Sequence, residues 1–315
     1  MSSRGGALLV VGDVVTDIVA RHRTPLARGT DTTAAIRTVP GGAGANVACW
    51  AASWGCSDAR LLGRVGAESA TWHEEALTRA GVRSRLVVDP EAPTGTVICL
   101  VDGGAGAGAE RTFLTDSGAS LRLSAADWSP DLLEGVGWLH LSGYLFFAEP
   151  SRAAAEAALA SARARGVPVS VDPASAGFLA ELGVDRFLAA TDGVAVLLPS
   201  EDEARLLTGM PDVADTADLA DAAAKLSRQF PSVVVKRGAA GALAAREGEV
   251  RAEAPALPAT PRDSTGAGDA FTGAFLASRL RGAGLREALA EGCRAGASAV
   301  ERVGGRPPLP AAAAP

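Results

Sequence analysis

The residues best placed to do chemistry lie at positions 263–275. The run Asp263-Ser264-Thr265-Gly266-Ala267-Gly268-Asp269 leads there into an apolar stretch with Phe271, Phe275 and Leu276. Small residues ahead of an apolar helix leave its first N–H groups free, which makes Gly266, Ala267 and Gly268 a prepared anion site. Asp269 falls in the first helical turn beside them. A carboxylate there complements the helix dipole, and Asp263 or Ser264 would cap the helix. That structural account leaves the repulsion between carboxylate and anion unexplained. A carboxylate that accepts a hydroxyl proton while a phosphoryl group is transferred explains it better. A second cluster, Pro40-Gly41-Gly42-Ala43-Gly44-Ala45-Asn46-Val47-Ala48, precedes a helix reaching Trp54. Its glycines allow backbone to approach a ligand, and Asn46 offers donors and an acceptor to hydroxyls. A plain strand-to-helix turn is an equal alternative for this segment alone. It is not a dinucleotide fingerprint, because Val47 stands where the third glycine belongs.

These residues need a scaffold, and the rest of the chain describes one. It has 315 residues, 48% hydrophobic and 21% charged, enough for a substantial core. A net charge of -6 argues against nucleic acid or an anionic membrane as partner. Lys225 and Lys236 are the only lysines and neither follows glycine, which removes P-loop enzymes. The G-x-S-x-G of many hydrolases and the H-R-D and D-F-G of protein kinases are also missing. Three histidines and four scattered cysteines form neither a zinc spacing nor a disulfide framework, so a cytoplasmic protein is expected. Apolar runs at 7–11, 60–65, 137–141, 167–171, 194–198 and 232–235 alternate with alanine-rich helical segments at 151–165, 215–228 and 285–301. That alternation predicts a parallel sheet covered by helices on both faces. The β-prone runs 94–102 and 110–116, bridged by small residues 103–109, read as a ribbon. With 17–20 and 34–39 it would make a small projecting sheet. The tail 307–315 is expected to be loosely ordered.

The two glycine segments, in this order and separation, resemble the two signatures of the PfkB, or ribokinase-like, carbohydrate kinases, and the likeness extends over nearly the whole chain. It implies a single domain over 1–315, a three-layer α/β/α sandwich with a mostly parallel sheet and a small β-sheet lid. Lid strands are expected from about 14–40 and 84–118. It implies ATP-dependent phosphorylation of a hydroxyl on a sugar or sugar-like molecule. Asp269 would be the general base, and Gly266, Ala267 and Gly268 the anion hole. Asp17, Gly42 and Asn46 would bind the substrate. Ser200 and Glu203 resemble the family's N-x-x-E motif, with serine replacing asparagine and Glu203 acting on Mg2+ through water. Lys236, where threonine is usual, with Gly238 and Gly241, resembles the nucleotide-binding strand and turn. Cys293 lies where asparagine or histidine often neighbours adenine, although a core cysteine is the expected role. Asp263 and Thr265 resemble a loop that binds a monovalent cation such as K+. Aromatics are only 4% of the chain, with Tyr144 the sole tyrosine, which favours a sugar or sugar acid over adenosine; a nucleoside-type kinase, for adenosine or pseudouridine, is the alternative. Arg111 and Arg122 could face a carboxylate or phosphate, but arginine on a lid or solvated surface is the default reading. A catalytically silent sugar-sensing module and a homodimer joined through the lid complete the expectations.

Overall fold

A computed structural model describes residues 5–102, 111–210 and 216–308. The chain runs through β1 (Ala7–Val11), β2 (Val15–His22), β3 (Ala34–Gly41), α1 (Ala43–Ser53), β4 (Ala59–Gly66), α2 (Ala70–Arg79) and β5 (Val82–Asp89). There follow β6 (Thr94–Asp102), β7 (Arg111–Gly118), β8 (Val136–Ser142), α3 (Glu149–Ala164), β9 (Val169–Asp172), α4 (Ala176–Leu182) and α5 (Val184–Ala190). The last third contains β10 (Val196–Leu197), α6 (Glu201–Thr208), α7 (Thr216–Leu226), β11 (Val233–Lys236), β12 (Ala242–Arg246), β13 (Glu249–Ala254), α8 (Ala267–Leu280) and α9 (Leu285–Val300).

Nine strands form the large sheet in the order β13-β12-β11-β10-β9-β8-β1-β4-β5. Every neighbouring pair is parallel except β11–β12 and β12–β13. Alternating residues of β1 explain the layers. Leu9 and Val11 enter a core with Ala154, Ala158 and Phe187 from α3 and α5. Leu8 and Val10 enter the opposite core with Val47, Phe271 and Phe275 from α1 and α8. Strands buried on both faces read as unbroken apolar runs, which is why their positions were visible in the sequence.

The second sheet has the order β3-β2-β6-β7 and stands over the carboxyl ends of the large one. Arg21 of β2 ties it down by donating to the Arg262 carbonyl at 2.8 Å. Its second strand pair begins at Thr94. Residues 84–89 belong to β5, which pairs with β4 at the edge of the large sheet. The small-residue bridge expected at 103–109 and the end of the tail, 309–315, lie outside the described residues.

Candidate active site

The strand order reverses between β1 and β8, and ligands of open α/β sheets bind outside the carboxyl ends of strands at such a point. Asp13, just beyond β1, organises this place. Its carboxylate accepts from Ala43 N at 2.7 Å, Gly44 N at 3.1 Å and Ser142 Oγ at 2.8 Å, which fixes the start of α1. Gly42 caps that helix at φ 96°, and a β-carbon would sit 2.5 Å from the Asp13 carbonyl oxygen. Only glycine fits there. One turn on, Asn46 donates through Nδ2 to Asp269 Oδ2 at 2.8 Å. Its Oδ1 is buried with no partner. A buried acceptor left unpaired is costly, and a ligand hydroxyl would satisfy it. Asp17 projects from β2 against Gly41, where a β-carbon would collide with its carboxylate. Burial, then the Asp13 charge, pushes the Asp17 carboxyl from 3.8 up to about 7.

Across the cleft, Gly266 opens α8 in the left-handed conformation at φ 73°. The first-turn N–H groups of α8 are thereby presented beside Gly268 and Asp269. Asp269 opens to the cleft but lies deep in it. Loss of hydration, the leading effect, raises its carboxyl to about 7 against the opposing Asn46 hydrogen bond. A carboxylate poised near neutrality is suited to proton abstraction.

Ser200 accepts from Glu203 N at 3.4 Å while Glu203 Oε2 accepts from Ser200 N at 2.8 Å, a reciprocal cap of α6. Burial and the neighbouring Asp172 raise the Glu203 carboxyl. Lys236 ends β11 and forms a buried ion pair with Asp172 at the end of β9. Thr272 of α8 donates to the same Asp172 oxygen at 3.0 Å. Asp263 lies behind the cleft, its two carboxylate oxygens accepting from Thr265 N and Gly304 N, each at 2.9 Å. Thr265 Oγ1 is buried and unpartnered.

Asp17, Gly42, Asn46, Ser200, Glu203, Lys236, Gly238, Gly241, Thr265, Gly266, Ala267, Gly268 and Asp269 therefore line one cleft of about 1360 Å³, with Asp263 just outside it. Sequence reasoning assigned no role to Asp172 or Asp13. Each is an aspartate directly at the end of an apolar run, a signal that could have singled them out. Of the aromatics, Phe113, Tyr144, Phe178 and Phe271 line the cleft. Arg122 faces no ligand, being paired with Glu91 at 2.8 Å and Asp89 at 3.0 Å. The side chain of Arg111 lies outside the description. Cys293 is buried against the Ala254 carbonyl. Among the described residues no cluster of three His, Cys, Asp or Glu could hold a metal, and no helix is long and apolar enough to cross a membrane.

The profile of the pfkB family carbohydrate kinases matches residues 7–312. A fructokinase of Klebsiella pneumoniae is 31% identical over 284 residues, 86% of this chain and 84% of that protein. Among solved structures, the adenosine kinase of Sinorhizobium meliloti superposes with a TM-score of 0.83 at 21% identity, covering 96% of each chain. Arabidopsis thaliana ribokinase complexed with ribose and ATP gives 0.76 at 26% identity, covering 95% of this chain and 94% of that one.

Proposed function

The chain belongs to the pfkB family of carbohydrate kinases, and on that premise we propose that it transfers the γ-phosphoryl group of ATP to a hydroxyl of an uncharged sugar or sugar-like molecule. The observation that carries this reading is Asp269, held by Asn46 at the mouth of the α8 anion site with its carboxyl raised to about 7. The substrate hydroxyl gives its proton to Asp269, and its oxygen attacks phosphorus as the bond to the nucleotide breaks. Asp17 and the orphan Oδ1 of Asn46 hold other hydroxyls. The N–H groups beside Gly266, Ala267 and Gly268 receive the developing phosphoryl charge. Gly238 and Gly241 provide close backbone approach on the nucleotide side.

When bound, ATP would supply the phosphoryl group and Mg2+ would supply positive charge to offset that of the phosphates. Glu203 fits such an ion through water, because one carboxylate oxygen is committed to the α6 cap. The orphan Thr265 hydroxyl fits a monovalent cation such as K+ beside Asp263.

The inner face of the lid closes the cleft with Val15, Val19, Val97, Cys99 and Phe113, suited to excluding water. Among the described residues lining the cleft, Lys236 is the only lysine or arginine, which supports an uncharged substrate over a sugar acid. A nucleoside is the second reading. Tyr144 packs edge-on against Phe178 at 5.9 Å, offering an apolar bed for a base. Measured ADP release with free sugars, nucleosides and sugar acids separates the three. Sugar binding without ADP release from any of them would point instead to a silent sensing module. The same reading includes a homodimer joined through the lid.

A further inference from the structure

We propose that Lys236 is the residue that meets the charge of the transferring phosphoryl group, and that Asp172 holds its ammonium in store until that group arrives. This rests on the kinase reading above. Lys236 stands where the family resemblance implies threonine, so the role belongs to this chain's own residues.

The geometry fits an exchange of partners. The Lys236 ammonium is bonded to Asp172, which is itself anchored to α8 by Thr272 at 3.0 Å. Thr272 lies four residues beyond Gly268, one helical turn along the same face. A β-carbon on Gly268 would sit 3.5 Å from Lys236 Nζ, so the ammonium already borders the anion site. The two side chains are 13% and 11% exposed and both line the cleft. A flexible four-carbon stem can turn from Asp172 toward the space beside Gly268 without moving β11.

The charge balance gives the reason for storage. Asp172, Glu203 and Asp269 act together on Lys236. Among the described residues lining the cleft, no other lysine or arginine can answer an incoming phosphate. Without Asp172, the buried ammonium would lose the one carboxylate bonded to it whenever the cleft is empty. With it, phosphate must displace a carboxylate, so the cation is released only to a group of comparable charge. Lys236 keeps its proton throughout, and the bonds made and broken are those of phosphoryl transfer alone. The competing account is a static brace between β9 and β11.

Titration of the full-length protein with inorganic phosphate, without nucleotide, separates the two. Removing the competing carboxylate in Asp172→Asn should tighten phosphate binding on the order of tenfold, while Lys236→Met should abolish it. Lys236→Arg should retain it. The double variant D172N/K236M removes both charges of the ion pair together, so it should fold and bind phosphate as poorly as K236M. In turnover, K236M should lose about 10²–10³-fold in kcat with a smaller change in ATP affinity. Phosphate affinity that is unchanged or weaker in D172N overturns storage by Asp172. Near-normal kcat in K236M overturns the catalytic role. If the unaltered protein releases ADP with no substrate, the kinase reading fails, and the phosphate titrations still decide whether the ammonium changes partners.

Discussion

Asp269 faces opposite demands from stability and activity, and its surroundings make the conflict measurable. Its carboxyl rises from 3.8 unfolded to about 7 folded. Between those values the folded state binds more protons than the unfolded one. The stability this group contributes is full at low pH and is lost as pH rises through about 7. Asp17, also raised to about 7, adds to the same loss. The proton abstraction proposed for Asp269 needs the ionised form, so kcat/KM should climb over the window in which thermal stability falls. We expect Asp269→Asn to lower kcat by about 10²–10⁴-fold, leave nucleotide affinity nearly intact, and flatten the fall of Tm between the unfolded value of 3.8 and about 7. Kinetics and thermal melts across pH test all three, and near-normal turnover by a folded variant would falsify the base assignment. Asn46→Ala and Asp17→Ala should each weaken sugar binding more than ATP binding. For Asn46 the loss is twofold in origin, since the side chain both steadies Asp269 and leaves Oδ1 open to the substrate. Calorimetry that found sugar affinity unchanged and nucleotide affinity lost would place this loop on the other ligand.

At the scale of elements, the entry to α8 is the feature that the glycines make possible. Gly266 has φ 73°, and a β-carbon there would come within 2.5 Å of Gly305 Cα. Gly268 is inside the helix, and its β-carbon would meet only Lys236 at ordinary contact distance. Gly266→Ala should therefore cost roughly 1–3 kcal/mol and lower Tm by several degrees, with turnover falling as the anion site distorts. Gly268→Ala should leave Tm unchanged or higher, and equal melts for the two variants would show that the αL entry carries no strain. The same contrast marks what was legible in the sequence. The two glycine segments, one with Asn46 and one with Asp269, could be read because their chemistry is local. So could β1, β4, β8, β9 and β11, as apolar runs buried on both faces. Strand β12, Ala-Leu-Ala-Ala-Arg, has the composition of a helix and becomes a strand only through its antiparallel neighbours β11 and β13. In β5, Arg83 and Arg85 interrupt the apolar residues, as suits the edge strand of the large sheet. Asp172 and Lys236 are 64 positions apart, and only the order of β9, β10 and β11 brings them together.

For the whole molecule, the lid leaves one apolar surface to account for. Register sorts its residues into two faces. Val19 and Cys99 point inward and are buried, whereas Ile18, Ile98 and Leu114 form one row across the outer face. Ile36 and Leu100 flank that row through Ala20. Ile36 is 65% and Leu114 54% exposed, too much apolar surface in one place to be incidental on an isolated sheet. The proposed homodimer covers it by packing two lids together, which also shields the open edges of β3 and β7. The two faces give the idea a sharp test, because adjacent residues of β6 point in opposite directions. Ile98→Asp puts charge on the outer face and should yield monomers. Val97→Asp puts it over the cleft and should weaken sugar binding while dimers persist. If the lids brace each other, Ile98→Asp also loses sugar affinity, since the same four strands form the roof of the site and a small sheet alone is marginally stable. Sedimentation of the unaltered protein comes first. A monomer at micromolar concentration with full activity would mean that the lid holds its shape unaided, and the apolar row would then need another explanation.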